Sequence, residues 1–288
     1  MHSILVTGAT GTVGRQVVDR LRRRDVPVRA LVRDRQRAVA VLGPDVELAV
    51  GDFSDARSLR AAVDGVDQMY LACANHPLQV SWESAAVDAA AAAGVRRIVK
   101  LSALDSAVGS PVAFADAHGR IAAHLAVRGV EHVLLKPTFS MANLLGAAAS
   151  VQQADAIVLP AAGAKIAMID PGDVAEVAAA VLADPAHNER SYLLTGPEAV
   201  TFDDVAAQLS DVLGRRIGFM AVPDDAALAQ LVSSGAPEWF AKNLVAQFGL
   251  LRSGTQAETW DDVRVLTGRE PRSVAAFLRD HAGAFEGR

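Results

Sequence analysis

Residue types that several chemistries need are scarce in this chain of 288 residues. Its single cysteine, Cys73, has no second cysteine to pair with, and no uncharged apolar run reaches the roughly 18 residues of a membrane span. Basic residues number 28 against 33 acidic ones, so the net charge of -5 has the wrong sign for a broad nucleic-acid surface. We expect neither nucleic-acid nor membrane partners.

Motifs for other reactions are missing as well. The chain has no G-x-S-x-G, no H-E-x-x-H, no cysteine pair for zinc, and no phosphate loop ending in Gly-Lys-Ser or Gly-Lys-Thr. We therefore expect no metal site. The first residues lead directly into a strand-like run without a basic leader, which predicts no cleavable signal and a cytoplasmic protein.

The chain has ample material for a core, because 51% of its residues are hydrophobic and 21% are charged. Short buried-type runs alternate with longer helical stretches, a pattern typical of repeated βαβ units. The predicted strands are Ser3–Val6, Val28–Val32, Val46–Val50, Gln68–Ala72, Arg97–Leu101 and His132–Leu135. The predicted helices are Thr12–Arg24, Ala56–Val63, Ser81–Ala93, Asp116–Arg128, Asp170–Ala183, Thr201–Leu213, Pro237–Phe248 and Val274–His281, with one further strand at Ser191–Leu194.

This pattern predicts an α/β fold, a Rossmann-type doubly wound parallel sheet with a small C-terminal α/β lobe. We expect residues 1–150 to form the nucleotide-binding domain and residues 151–288 a smaller lobe on the substrate side. The regular alternation stops after Pro137 without a clean linker. The lobe is therefore expected to be interleaved with the first domain rather than independent.

A glycine motif stands between the first predicted strand and the first predicted helix. In Thr7-Gly8-Ala9-Thr10-Gly11-Thr12-Val13-Gly14, Gly8 permits a sharp turn, Gly11 lets backbone amides approach a pyrophosphate, and Gly14 lets the helix pack on the strand. The helix N-terminus favours an anion at this point. An ordinary glycine turn is the alternative, but the βαβ context favours a dinucleotide site.

The end of the second strand predicts which dinucleotide binds. Arg33 stands there, with Arg35 and Arg37 close by, and a cation at this position suits the 2′-phosphate of NADP. This favours NADP(H) over NAD(H). Alternatively, the arginines form only a solvated rim, and Asp34 turns inward to the ribose. At the end of the third strand, Asp52 and Phe53 either face the adenine or serve as a helix cap and a core aromatic.

Together with these residues, later segments resemble the NmrA-like family of atypical short-chain dehydrogenases, whose members include type 2 quinone oxidoreductases, triphenylmethane reductase and nucleotide-sensing regulators. The segments are Lys100-Leu101-Ser102-Ala103, Leu134-Leu135-Lys136-Pro137, Phe139-Ser140-Met141-Ala142-Asn143-Leu144, Ile169-Asp170-Pro171-Gly172-Asp173-Val174-Ala175 and Thr267-Gly268-Arg269-Glu270-Pro271-Arg272. The resemblance covers nearly the whole chain. It implies a Rossmann-type domain that binds NADP(H), with a small lobe closing over a substrate cleft.

The resemblance also implies roles for individual residues. The expected cofactor-binding residues are Gly8, Thr10, Gly11, Thr12, Val13, Gly14, Arg33, Asp52, Phe53, Ala72, Cys73, Lys136 and Pro137. Cys73 is either a reactive thiol or a buried small residue, and the lack of a basic neighbour in sequence favours the second interpretation. Ser102 is expected to approach the nicotinamide. The expected substrate contacts are His76, Phe139, Met141 and Asn143, although such side chains are often core residues.

One departure from ordinary short-chain dehydrogenases concerns their catalytic pair, a Tyr with a Lys four residues later. Here Tyr70 is followed by Ala74 and Tyr192 by Gly196, so the chain has no such pair. His118 is then the best candidate for a proton donor, since its usual pKa near 6.5 suits the role. A surface histidine on a helix is the alternative.

Two functions follow from this pattern. The first is an NADPH-dependent reductase that passes a hydride to a quinone-like or conjugated carbonyl acceptor. Such an acceptor spreads the developing negative charge, so the reaction does not need a strong general acid. The second is a non-catalytic regulator that senses the NADP(H) redox state, which the missing Tyr/Lys pair would suit. Ser102 and His118 beside an intact cofactor half favour the enzyme, with a small aromatic or quinone-like substrate. The sequence does not distinguish a monomer from a homodimer.

Overall fold

The computed structural model describes residues 3–187 and 191–286. The strands are β1 (Ile4–Val6), β2 (Val28–Val32), β3 (Glu47–Val50), β4 (Gln68–Leu71), β5 (Arg97–Leu101), β6 (Glu131–Pro137), β7 (Ala156–Leu159), β8 (Lys165–Ile166), β9 (Ser191–Leu194), β10 (Val200–Thr201) and β11 (Gly218–Ala221). The helices are α1 (Gly14–Arg22), α2 (Arg35–Leu42), α3 (Ala56–Val63), α4 (Gln79–Ala92), α5 (Ala113–Arg128), α6 (Ala148–Ala154), α7 (Pro171–Ala183), α8 (Phe202–Leu213), α9 (Asp224–Ser233), α10 (Glu238–Arg252), α11 (Asp262–Thr267) and α12 (Val274–Asp280).

Seven strands form the central sheet in the order β3-β2-β1-β4-β5-β6-β9. The first six run parallel, since every neighbouring pair from β3 through to β6 is in parallel register. β1 and β4 are buried along their whole length, as expected for central strands covered on both faces. The strand order reverses between β1 and β4, which is where such sheets open a crevice for a ligand. The predicted Rossmann-type fold is confirmed.

The chain divides into two compact units that do not coincide with a single cut after residue 150. The first unit runs to Ser110 and adds Phe114–Lys136 and Val174–Leu193. The second contains Pro111–Ala113, Pro137–Asp173 and the chain from Leu194 onward. Val174–Leu193 belongs with the first unit, because its strand β9 is the seventh strand of the central sheet.

In the first unit, one face of the sheet packs against α3, α4 and α5. Small side chains of α4, such as Ala86 and Ala90, are fully buried in a cluster with Leu59, Val63 and Leu125. The alanine-rich sequence of α4 is therefore a packing surface, because short side chains let the helix lie close to its neighbours.

The second unit has an apolar core of its own. Phe139 contacts Phe202 edge-on and lies beside Phe248, with ring centroids 6.3 Å and 6.0 Å apart. Around it, α8 begins with a capping box in which Thr201 and Asp204 satisfy each other's backbone amides. None of the described helices has both the length and the apolar character needed to cross a bilayer.

Candidate functional site

A cleft of about 490 Å³ opens where the strand order reverses, at the carboxyl ends of β1 and β4. Its lining residues are Gly8, Ala9, Thr10, Gly11, Thr12, Val13, Gly14, Leu31, Val32, Arg33, Gly51, Asp52, Phe53, Ala72, Cys73, Ala74, Trp82 and Leu101. The structure thus brings together every predicted cofactor-binding residue from Gly8 to Cys73. Lys136 and Pro137, at the end of β6, are not among the lining residues.

Gly8 and Gly14 of the glycine loop leave no room for a side chain. Gly8 has φ of +59°, and an added Cβ would lie 2.9 Å from the carbonyl oxygen of Ala72. A Cβ on Gly14 would lie 2.8 Å from the carbonyl carbon of Gly8 and closer still to its oxygen. No described side chain caps α1, and its first turn holds no acidic residue. The loop and the uncapped helix start therefore fit the pyrophosphate of a dinucleotide.

The end of β2 distinguishes the two interpretations of its charged residues. Asp34 caps α2, where its Oδ1 accepts a hydrogen bond from the amide of Arg37 at 3.0 Å. This carboxylate is therefore used by the helix and does not turn inward. Arg33 lines the cleft and forms no ion pair with any residue that the structure describes. An exposed guanidinium without a carboxylate partner suits a 2′-phosphate.

Substitution of Arg33 by alanine is expected to weaken NADPH binding by roughly 10- to 100-fold, the value of a charged hydrogen bond. NADH binding should change little, because NADH lacks the 2′-phosphate. Titration of both nucleotides followed by fluorescence checks this. Arg37→Ala serves as the control, since Arg37 is also exposed but lies outside the cleft lining. An equal loss for both nucleotides with Arg33→Ala would contradict the assignment.

Asp52, which follows β3, offers a carboxylate that also lines the cleft. Its Oδ1 accepts hydrogen bonds from the amide and hydroxyl of Ser54, at 2.8 Å and 2.5 Å. These bonds, together with nearby Arg33, hold the pKa of Asp52 below its usual value. The cap of α3 is Asp55 instead. Asp52 is therefore a charged acceptor at the cleft, and its Oδ2 suits an adenine amino group.

Cys73 lines the same cleft but is chemically quiet. Burial, with a smaller contribution from Glu83, raises the pKa of its thiol to about 12. The thiolate is the reactive form, so this side chain stays a neutral thiol near pH 7. Cys73 is partly buried, and the structure supports its interpretation as a small unreactive residue.

The two predicted catalytic residues lie near the end of β5. Ser102 is buried, its amide donates to the carbonyl of Leu135 at 2.7 Å, and its Oγ has no hydrogen-bond partner in the described chain. His118 lies in α5, which approaches the loop after β5 so closely that a Cβ on Gly119 would come within 2.5 Å of the Val108 amide. A buried hydroxyl without a partner is the kind of group that a ligand satisfies.

His118 does not titrate near its usual pKa. Burial and the nearby Lys100 ammonium hold its pKa well below 6.5. The imidazole is therefore neutral at neutral pH, and the expectation based on an unperturbed pKa is wrong. Desolvation of the charged form and a second cation both act in this direction.

A buried ion pair beside this histidine was not predicted from the sequence. Lys100 Nζ lies 2.9 Å from Glu83 Oε2, and the two side chains are 1% and 0% exposed. Gln79 donates to the other carboxylate oxygen at 3.0 Å. The available signal was the spacing of Gln79 and Glu83 along the otherwise alanine-rich α4, since residues four apart share one helix face.

The predicted substrate contacts lie in different environments. His76 stacks on Trp82, a lining residue that the sequence analysis also missed, with ring centroids 4.1 Å apart. Asn143 is exposed. Phe139 and Met141 belong instead to the core of the second unit, where Met141 has no exposed surface. Their apolar side chains serve packing.

Comparisons with known proteins show which family and which folds this chain is similar to. The model of the NmrA-like family matches residues 1–277. An NAD(P)H azoreductase from Xenophilus azovorans is 34% identical over 98% of this chain and 99% of its own. A (4-alkanoyl-5-oxo-2,5-dihydrofuran-3-yl)methyl phosphate reductase from Streptomyces griseus is 39% identical over the same shares. The NADPH complex of the quinone oxidoreductase QOR2 from Escherichia coli superposes with a TM-score of 0.89 at 27% identity, over 97% of this chain and 99% of that one.

Proposed function

This chain belongs to the NmrA-like family, and we propose that it is an NADPH-dependent reductase that passes a hydride to a quinone-like or conjugated carbonyl acceptor. The observation that carries the proposal is the cleft itself. A glycine loop, an uncapped helix start and an arginine without a carboxylate partner line one crevice. These three features match the pyrophosphate and the 2′-phosphate of NADPH.

Different residues of the first unit bind different parts of this cofactor. The loop from Gly8 to Gly14 binds the pyrophosphate, Arg33 binds the 2′-phosphate, and Asp52 with Phe53 receives the adenine. Ala72 and Cys73 lie along the ribose. Bound NADPH supplies the hydride, and the buried Ser102 hydroxyl, which has no described partner, orients the end of the cofactor that donates it.

The acceptor class follows from what the chain lacks and from its relatives. The chain has no Tyr/Lys pair to protonate an isolated alkoxide. An extended conjugated acceptor spreads the incoming charge over several atoms and needs a weaker acid. The names of the relatives agree with this class, since azo compounds, quinones and acyl dihydrofuranones are all conjugated acceptors.

Loss of the NADPH absorbance in the presence of candidate acceptors tests the proposal. The panel contains benzoquinones, naphthoquinones, azo dyes and polycyclic aromatic ketones, with NADH in parallel reactions. We expect turnover with at least one acceptor and a preference for NADPH. Arg33→Ala is the matched control, because it should lose the preference while the acceptor side of the protein is unchanged.

Tight NADPH binding without turnover across the whole panel would overturn the reductase assignment. It would favour the alternative of a regulator that senses the NADP(H) redox state. Binding of NADPH and NADP⁺ with clearly different affinities is the signature expected of such a sensor, since its output depends on telling the two forms apart.

A further inference from the structure

A buried polar cluster lies on the face of the sheet that packs against α3, α4 and α5. None of its residues is among those that line the cleft. Glu83 and Gln79 come from α4, Lys100 from β5 and His118 from α5. Lys100 lies in register between Leu71 of β4 and Leu134 of β6, in the middle of the sheet. Burying a charge at such a position is costly unless it is paired and hydrogen-bonded. The role of this cluster is not explained by cofactor binding.

The contact between Lys100 and His118 determines which ring nitrogen of the histidine carries the hydrogen. An ammonium group has three N–H donors and no acceptor. Its Nζ lies in hydrogen-bond contact with the carbonyl of Leu101 and with His118 Nδ1 at 3.3 Å, and it forms an ion pair with Glu83 Oε2 at 2.9 Å. Since the ammonium can only donate, Nδ1 must present its lone pair. A neutral imidazole carries one hydrogen, which is therefore on Nε2.

The charges around the ring favour the same neutral form. Glu83 faces Lys100 from α4 and balances its charge, and the amide of Gln79 supports the carboxylate. Burial and the charge of Glu83 raise the pKa values of Tyr70 and Cys73, so both stay neutral. A protonated His118 would place a second cation beside the Lys100 ammonium without a carboxylate of its own.

The remaining nitrogen of the ring is available to a ligand. His118 Nε2 has no hydrogen-bond partner among the residues that the structure describes, and the side chain is only partly buried by its neighbours. A neutral N–H donor that is already oriented stabilises negative charge that develops on an oxygen or nitrogen atom.

We propose that Glu83 and Lys100 are positioning residues that lock His118 as its neutral Nε2–H tautomer, so that this N–H donates a hydrogen bond to the reacting heteroatom of the acceptor. This inference rests on the reductase function proposed above. It assigns His118 as a neutral hydrogen-bond donor, and no proton has to leave the ring. Lys100 acts through His118 and does not touch the acceptor.

Long-range ¹H–¹⁵N correlation spectra of protein labelled with ¹⁵N-histidine test the lock without cofactor or acceptor. The His118 signals are assigned by their loss in His118→Asn. We expect the pattern of a protonated Nε2 and an unprotonated Nδ1, unchanged between pH 8 and about pH 5.5, because the pKa of His118 is lowered. An Nδ1–H tautomer, a mixture of tautomers, or an imidazolium at pH 6.5 would overturn the lock.

A double substitution, Glu83→Gln with Lys100→Met, removes the pair without leaving one charge buried alone. We expect His118 to lose the single tautomer and to titrate closer to its usual pKa. The pH profile of kcat/KM should then gain an inflection between pH 5.5 and 8 that the unmodified enzyme lacks. Retention of the single tautomer and of the flat profile in this variant would overturn the role of Glu83 and Lys100.

The chain offers a matched control in a carboxylate–histidine contact between the same two helices. Asp88 of α4 lies 2.7 Å from His124 of α5, at the surface. Asp88→Asn should change the signals of His124 and leave those of His118 and the pH profile unaltered. If Asp88→Asn changed the profile as the double variant does, the effect would not belong to Lys100, and the proposal would fail.

The outcomes separate this inference from the function on which it rests. Turnover together with a different tautomer overturns the lock alone. The expected tautomer together with no turnover across the acceptor panel supports the lock, but it overturns the reductase assignment and the donor role of His118 with it.

Discussion

Substitution of Gly14 by alanine is expected to abolish measurable NADPH binding, with an affinity loss of more than about 100-fold. The added Cβ would lie 2.8 Å from the carbonyl carbon of Gly8 and 3.1 Å from Ala9 Cα. Both neighbours are backbone atoms that cannot rotate away, so the loop that holds the pyrophosphate has to shift. The strain should also lower the free energy of unfolding by about 1–3 kcal/mol.

Nucleotide titration and chemical denaturation of the same preparation check both effects of Gly14→Ala. Gly249→Ala is the matched control, because Gly249 is also helical and its Cβ would meet only Arg252 Nη2, at 3.7 Å. Alanine should be tolerated there, or stabilise α10 by roughly 0.5–1 kcal/mol. A folded Gly14→Ala protein that binds NADPH normally would show that the glycine loop is not the cofactor site.

The second large effect is expected from Lys100→Met, which should lower the free energy of unfolding by about 3–5 kcal/mol. Methionine fills a similar volume, so the loss comes from electrostatics. Glu83 is 0% exposed and would keep a buried charge with only the Gln79 amide to support it. Removing both charges together should cost less than removing Lys100 alone, because no unpaired ion is left behind.

Thermal and urea denaturation of the single and double variants measure this coupling. Lys242→Met provides the control with the same substitution, since Lys242 pairs with Glu238 at the surface, where the two side chains are 59% and 68% exposed. An exposed pair of this kind contributes little to stability, because solvent screens it. Equal, small effects at positions 100 and 242 would contradict the assignment of Lys100 and Glu83 as a buried ion pair.

Much of the first unit could be predicted from the sequence because each element is specified locally. Buried runs such as Val28–Val32 and Arg97–Leu101 match the observed strands, since central strands of a parallel sheet consist of short apolar segments. Helix α2 was missed because Arg33, Arg35 and Arg37 were interpreted as cations for the 2′-phosphate, or alternatively as a solvated rim, and not as the start of a helix. The signal for the helix was Asp34, a good N-cap residue ahead of Ala38 and Leu42, which are both buried.

The short strands of the second unit could not be predicted in the same way. β7 and β11 are four residues each and pair with one another, although about 60 residues of chain separate them. Such a strand is stabilised by a distant partner rather than by its own residues. The N-terminus of α8 could be placed because its capping box is local: Thr201 and Asp204 are three residues apart.

The candidate site likewise contains residues that are specified locally and residues whose positions depend on distant parts of the chain. The glycine loop and Arg33 were predicted because each has a fixed place in a strand–loop–helix unit. Trp82 and Glu83 were missed, since their roles depend on which faces of α4 meet the cleft and the sheet. The pKa of His118 likewise depends on Lys100, a neighbour 18 residues earlier in the chain that becomes close only in the folded protein.

The place of β9 beside β6 has a consequence for how the protein is made. The seventh strand of the sheet, Ser191–Leu194, leaves the ribosome only after Pro137–Asp173 of the other unit has been synthesised. At about 5–20 residues per second, the edge of β6 stays open for several seconds in the nascent chain. An unpaired edge next to Val133, Leu134 and Leu135 is a template for intermolecular pairing. The speed of translation through this interval, and any chaperone that covers the edge, should therefore set the yield of soluble protein, and a fragment that ends at residue 150 should aggregate.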